Sequence, residues 1–197
     1  MKILIGCEYS GIVRDAFTNL GLYATSCDIL PSESTGKHIQ GDIFEAIKSD
    51  NWDLLIAHPP CTYLCNAQLW RCSLDTIRKE QQKHASDFVN RLYNCGIQHI
   101  AIENPKGYLS NNWLTPSQII YPYNFGDPYR KDICLWLRNL PPLISTIYNP
   151  KRKSVSNHVN SRMSQALKSK IKSKFFHGVA EAMALQWSSF ILKYGKP

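Results

Sequence analysis

Not one Asp or Glu stands between Ile133 and Ala180. Also missing are a C-x-x-C pair, a G-x-G-x-x-G fingerprint, a Walker-type phosphate loop and any apolar run near the roughly 18 residues that span a bilayer. The last absence argues against a membrane protein. The apolar start Met1–Ile5 meets Gly6 and Glu8 too soon to serve as a secretory core, so a cytoplasmic location is expected, the host cytoplasm if the chain is viral. Seven cysteines without an export signal point to reduced thiols. Cys61-x3-Cys65-x6-Cys72, with His58 upstream, fits no common zinc spacing, and no metal is expected.

What is present is a localised positive charge. Lys151, Arg152, Lys153, Arg162, Lys168, Lys170, Lys172 and Lys174 lie within 24 positions, and removing these eight from the 23 bases leaves 15 against 15 acids. The whole excess of +8 therefore sits in one segment. Such a cluster releases counterions from a phosphate backbone and gives sequence-independent affinity. A solvated loop rich in Ser, Asn and Lys is the plainer alternative.

At 197 residues the chain fits one domain, 1–197, with the basic stretch 144–173 inserted in it. Apolar runs and turn residues predict strands over Lys2–Cys7, Tyr23–Ile29, Ile39–Gly41, Trp52–Ala57, Gln98–Ile102, Tyr121–Phe125 and Asp132–Arg138. Helices are expected over Gly11–Leu20, Ile43–Ser49, Ser73–Asn94 and Lys174–Lys193, with His58–Cys72 as a long loop. The alternation predicts an α/β fold, a mostly parallel seven-stranded sheet with helices on both faces. Ligands bind at the carboxyl ends of such strands. Glu8–Gly11, Asp28, Asp42, Pro59–Cys61 and Glu103-Asn104 all fall there.

The turn Gly6–Gly11 offers tight backbone geometry and the free N–H groups of a helix start. Asp28 ends the second strand, where nucleoside-binding folds put a carboxylate on ribose hydroxyls, and Asp42 accepts from an adenine amine or caps a helix. Cys61 follows two prolines and projects from a stiff turn as a nucleophile, given a positive neighbour such as His58, Arg130 or Lys131. Glu103 ends an apolar strand, where desolvation favours the protonated, proton-donating form. Asn104 is expected to orient its neighbours. A thiol and a carboxyl on neighbouring strand ends are the minimum for attack on a pyrimidine ring.

These residues in this order resemble the cytosine-5 DNA methyltransferase family, most of all its short phage-type members. Pro59-Pro60-Cys61 is similar to the nucleophile motif and Glu103-Asn104 to the Glu-Asn motif. Ile5–Gly11 resembles the first cofactor motif, Asp28 the second-strand acid, and Gly41-Asp42 the third motif. Gly126–Leu137 is similar to the segment carrying the family's arginines, and Phe175–Trp187 to the last cofactor-side helix. The resemblance implies a Rossmann-like class I methyltransferase fold that binds S-adenosylmethionine through Gly6, Glu8, Tyr9, Ser10, Gly11, Asp28, Ile29, Asp42, Ile43, His58 and Pro59. It implies that Cys61 adds to carbon-6 of cytosine while Glu103 protonates nitrogen-3, with Asn104, Arg130 and Lys131 completing the catalytic set. A flipped base in nucleic acid, DNA before RNA, is the implied substrate.

The chain departs from the family in four places. Cys7–Ser10 stands where the family is rich in glycine and aromatics, Pro105 replaces a valine, and the second arginine of the Gln-x-Arg-x-Arg pattern is missing. Residues 139–173 are too few for a target-recognition domain. Lys151, Arg152, Lys153, Arg162, Lys168, Lys170 and Lys172 are then the phosphate grip that replaces it, and a protein partner is a possible source of specificity. A cofactor- or nucleic-acid-binding protein that counters a host defence without catalysis, and an enzyme making a different pyrimidine modification, stay open.

Overall fold

The computed structural model describes residues 1–147, 153–154, 164 and 174–195. The apolar runs become β1 (Lys2–Gly6), β2 (Tyr23–Asp28), β3 (His38–Gln40), β4 (Leu54–Ala57) and β5 (His99–Pro105), all parallel. They are joined by α1 (Ile12–Thr18), α2 (Ile43–Lys48) and the pair α3 (Asn66–Leu74) and α4 (Thr76–Tyr93). After β5 come α5 (Tyr108–Asn112), β6 (Gln118–Ile120), a 3-10 turn (Pro122–Phe125), β7 (Tyr129–Arg130) and β8 (Ile133–Arg138). The short strand β9 (Lys153–Ser154) and the helix α6 (His177–Tyr194) complete the described elements.

One seven-stranded sheet carries the order β3-β2-β1-β4-β5-β8-β6. The last two strands run antiparallel, β8 against β5 and β6 against β8. The chain works outward from β1 to β3, then returns to lay β4 on the other side of β1. That reversal opens a crevice at the carboxyl ends of β1 and β4, the edge that carries the polar motifs.

Alternation along the strands sorts the core into two layers. Ile3, Ile5, Leu54, Ile56 and Leu135 meet Val13 and Phe17 of α1 and Val179, Met183 and Trp187 of α6. Leu4, Leu55, Ala57, Ile100, Ile102 and Trp136 meet Ile43 and Ala46 of α2 and Val89 and Leu92 of α4. Both faces are covered, as near-continuous apolar parallel strands require.

Several boundaries differ from those predicted, among them β5, which runs on to Pro105 and so takes Glu103 and Asn104 into the strand. His58–Cys72 is not all loop, because α3 begins at Asn66. The following helix is capped by Asp75, whose carboxylate accepts from Arg78 N–H at 3.1 Å, and Ser73 lies inside α3. Tyr121–Phe125 is a 3-10 turn, since Pro122 has no N–H for a ladder, and the edge strand is Gln118–Ile120. The first helix, expected to run to Leu20, ends at Thr18, and Leu20 beyond it is exposed.

Trp187 ties α6 to the rest of the molecule: it is fully buried and its Nε1–H donates to Pro141 C=O at 3.0 Å. Trp187→Ala should cost about 3–5 kcal/mol. A urea midpoint within a few tenths of a molar of the wild type would show that α6 is dispensable to the core.

Candidate functional site

At the end of β1, Cys7 turns the chain with φ 57° and sends Glu8 inward. The buried Glu8 carboxylate accepts from Val13 N–H at 2.7 Å and Arg14 N–H at 3.2 Å, while Ser10 Oγ accepts from Ile12 N–H at 3.4 Å. The amides expected to be free for a ligand are therefore taken by the chain's own side chains. Burial raises the Glu8 pKa, against the opposing pull of His58 and of the two amides. Arg14, fully buried, donates to Ser26 Oγ, Ser32 Oγ, Ser34 Oγ and Thr35 C=O, which fastens the Ser-rich loop after β2 onto α1. That loop passes over Tyr9, whose C=O accepts from Glu33 N–H at 2.8 Å.

The glycines of this turn serve internal packing. A Cβ on Gly6 would come within 2.8 Å of Ile43 Cδ1, and one on Gly11, at φ 76°, would run into Ser34 and Arg14. Ile43 is buried under β1 and β2. Asp42 is a helix cap, with Oδ1 accepting from Phe44 N–H at 2.7 Å and Glu45 N–H at 3.4 Å. Asp28 Oδ1 accepts from Leu30 N–H at 2.9 Å, and beside it Ile29 is 78% exposed.

The central group lies at the ends of β4 and β5. Asn104 Nδ2 donates to Pro59 C=O at 2.8 Å, which pins the Pro59-Pro60-Cys61 turn to the neighbouring strand. Leu64 and Cys65 amides both bond back to Cys61 C=O at 3.0 Å, and Tyr108 N–H reaches Leu64 C=O at 2.7 Å. The nucleophile turn is thus held from three sides. Cys61 is exposed, whereas Cys27 and Cys134 are buried, their thiols pushed up to about 11 chiefly by burial. The Cys61 thiol is also raised, first by the protein packed around it and then by Glu103 and Cys65, with Lys131 pulling the other way.

Glu103 is 8% exposed and its Oε2 lies 3.2 Å from His58 Nδ1. Burial alone favours the protonated acid, as expected from the sequence. The hydrogen bond from His58 and the charges of Lys131 and His58 outweigh it and hold the carboxyl below its usual range. Glu103 in the free protein is therefore a carboxylate and not a proton donor. His58 faces the ring of Phe175 at 4.5 Å between centroids. His58 Nε2, Glu103 Oε1 and Asn104 Oδ1 are buried without hydrogen-bond partners. Buried polar atoms without partners are rare, and each calls for an explanation such as a catalytic role, an ordered water or a ligand group.

Lys131 stands between the two reactive groups electrostatically and places its ammonium 5.7 Å from the Phe176 ring. Arg130 is exposed on β7, which pairs with β9 so that Lys153 is in register with Tyr129. Lys151, Arg152, Arg162, Lys168, Lys170 and Lys172 lie outside the described residues, and the far end of the segment is fixed by Lys174 to Glu33 at 2.8 Å. Phe175 and Glu33 were not singled out from the sequence as site residues; a lone aromatic beside a lysine carries no pattern that would have found them. Two surface depressions, one beside His99 and Phe190 and one between α2 and α4, lie away from this group.

Two outcomes test this geometry. Asn104→Ala strands the Pro59 carbonyl and should cost about 1–3 kcal/mol; unchanged stability and unchanged Cys61 reactivity toward a thiol reagent would remove Asn104 from its positioning role. Because the folded pKa of Glu103 is depressed, its stabilisation is complete above the unfolded value of about 4.3 and fades as pH falls through the folded value. Glu103→Gln should therefore be less stable than wild type at neutral pH, with the gap closing on acidification; a gap constant down to about pH 3 contradicts the assignment.

No protein-family model matches the chain, and no curated protein does. Among solved structures, that of the Entamoeba histolytica methyltransferase EhMeth is similar at a TM-score of 0.48 and 18% identity, over 84% of this chain and 62% of that one, so the chain spans less than two thirds of that protein's length.

Proposed function

We infer that this protein is a Rossmann-like, S-adenosylmethionine-dependent methyltransferase acting on carbon-5 of cytosine in nucleic acid. One observation carries the reading: an exposed cysteine on a turn pinned by Asn104, beside an ionised, buried Glu103 with one oxygen unpartnered.

The cofactor is tested against the residues at the crevice. Gly6, Gly11, Glu8 and Asp42 are engaged within the fold, and Ile43 is core. Asp28, half-buried and using Oδ1 locally, together with exposed Ile29, remains available, and Tyr9 at the end of β1 is half-buried. A carboxylate beside an exposed aliphatic and an aromatic ring suits the hydroxyls and flat base of a nucleoside. Asp28, Ile29 and Tyr9 would hold S-adenosylmethionine, which when bound supplies an electrophilic methyl group. Cys61 adds to carbon-6 of the pyrimidine, and its proton leaves to water at the exposed thiol. Ionised Glu103 accepts from the exocyclic amine and stabilises the positive charge that develops across the ring edge as nitrogen-3 is protonated. Lys131 favours the thiolate as it forms.

Nucleic acid as substrate is supported by the arrangement of the basic segment, whose described ends, β9 beside Arg130 and Lys174 beside Glu33, flank the site. No helix among the described residues is long and apolar enough to cross a membrane. The filled start of α1 and the raised Cys61 pKa favour a second reading, nucleic-acid or nucleoside binding without transfer.

Incubation with methyl-labelled cofactor and DNA or RNA should place label on cytosine. Cys61→Ala should abolish it, and Glu103→Gln should lower turnover by roughly a hundredfold. Binding of nucleic acid with no label in any polymer or nucleotide selects the second reading.

A further inference from the structure

We propose that His58 and Glu103 form one donor–acceptor edge for the target base, in which His58 Nε2–H donates to ring nitrogen-3 and delivers its proton there while Glu103 Oε1 accepts from the exocyclic amine. This rests on the pyrimidine-methylation reading above and reassigns His58 from cofactor contact to catalytic acid.

The two free atoms lie on one side of the sheet. Residues 54, 56 and 101 face α1 and α6, and continuing the alternation puts His58 and Glu103 on that side. Asn104 falls on the opposite side, where its Nδ2 holds Pro59, so its free Oδ1 belongs to a different environment. The imidazole is oriented: Nδ1 faces Glu103 Oε2 at 3.2 Å, which leaves Nε2 as the nitrogen for a ligand. Phe175 covers one ring face. The side chains are 12% and 10% exposed, so a base reaching them is desolvated and each polar atom of its edge must find a partner.

The chemistry requires a proton that Glu103 does not hold. Its carboxyl is kept ionised by His58 and Lys131, so it accepts only. His58 is the titratable side chain bonded to it. The groups facing His58 are Glu103 from β5, Glu8 from the turn after β1 and the apolar Phe175 ahead of α6, while Lys131, from the turn before β8, acts on Glu103. As an imidazolium, His58 offers Nε2–H beside the bare Glu103 oxygen: one donor, one acceptor. Cytosine presents the complement, an unprotonated ring nitrogen and an amine. With carbon-6 turned to Cys61 the order along the edge is set, and uracil would bring N–H against the donor and a carbonyl against the carboxylate.

The step balances within the site and water. Sulfur bonds to carbon-6, the carbon-5–carbon-6 pair moves between carbon-5 and carbon-4, and the carbon-4–nitrogen-3 pair moves onto nitrogen-3. That nitrogen takes the Nε2 proton, leaving neutral His58 with Nδ1–H still on Glu103. At the end of the cycle the substituted carbon-5 loses its hydrogen as a proton to water, that electron pair re-forms the carbon-5–carbon-6 double bond and expels sulfur, and nitrogen-3 returns its proton to His58.

The test is nitrogen NMR of the histidine-labelled protein, with His58 assigned through His58→Gln, titrated with cytidine 5′-monophosphate and uridine 5′-monophosphate. The cytosine nucleotide should shift Nε2 and raise the pH at which His58 titrates, and the uracil nucleotide should do neither. In turnover, His58→Gln should lower kcat by roughly a hundredfold with little change in KM, and abolish the decline in rate as the imidazole deprotonates. Equal responses to both nucleotides, or a His58→Gln enzyme that keeps the wild-type pH profile while Cys61→Ala is inactive, overturns the assignment and leaves methylation standing. A cytosine-selective Nε2 response in a protein that labels no nucleic acid supports the edge and removes the methyltransferase reading instead.

Discussion

Parallel pairing of β4 with β5 is prolonged beyond the ladder by two side-chain bridges, and the site depends on them. One runs from Asn104 to the Pro59 carbonyl and the other joins His58 to Glu103, at 2.8 and 3.2 Å. They sit on opposite sides of the sheet, so the two strand ends are braced against rotation as well as against separation. The first fixes the direction in which Pro59-Pro60 launches Cys61. The second sets the ionisation of the carboxylate that faces the same region. Geometry and charge are thereby fixed by residues adjacent in sequence, 58 with 59 and 103 with 104.

Around this brace, carboxylates close helix starts. Glu8 takes the first amides of α1, Asp42 those of α2, and Asp127 the Gly178 amide of α6 at 2.9 Å. Each occupies the positive end of a helix that points its amides toward the crevice. An outside anion finds these ends already satisfied. The acids left for recognition are those that cap nothing, Asp28 and Glu103, and the basic segment is left as the anion-binding element.

The strand pattern and the two short motifs were legible in the sequence because each strand is an apolar run stopped by a polar residue. The sheet has seven strands, six of them where the pattern put them, and α2, with its Asp42 cap, is also where the pattern put it. The roles at the site were less legible. Glu103 reads as a raised-pKa acid from its strand alone, because His58, 45 positions away, is brought to it only by the β4–β5 register. Glu8 reads as a ligand contact because nothing in Gly-Cys-Glu-Tyr-Ser-Gly says that Cys7 will turn with a positive φ and fold the carboxylate inward. Tyr121–Phe125 was misread because its aromatics suit a strand, while Pro122 denies it a ladder donor.

Phe175, which lies on the His58 ring, and α6, which seals the α1 face, are contributed late in the chain. The layer facing α2 and α4 draws on residues no later than Trp136. During vectorial synthesis one side of the sheet can therefore close while the other still waits for the 55 residues after Trp136, up to Ile191, to leave the ribosome. Until then the His58–Glu103 pair is open to water, and a base edge reaching it would not be desolvated. The nascent chain is in that sense born inert: its thiol turn can form early, but the dry half of its chemistry arrives with the last helix.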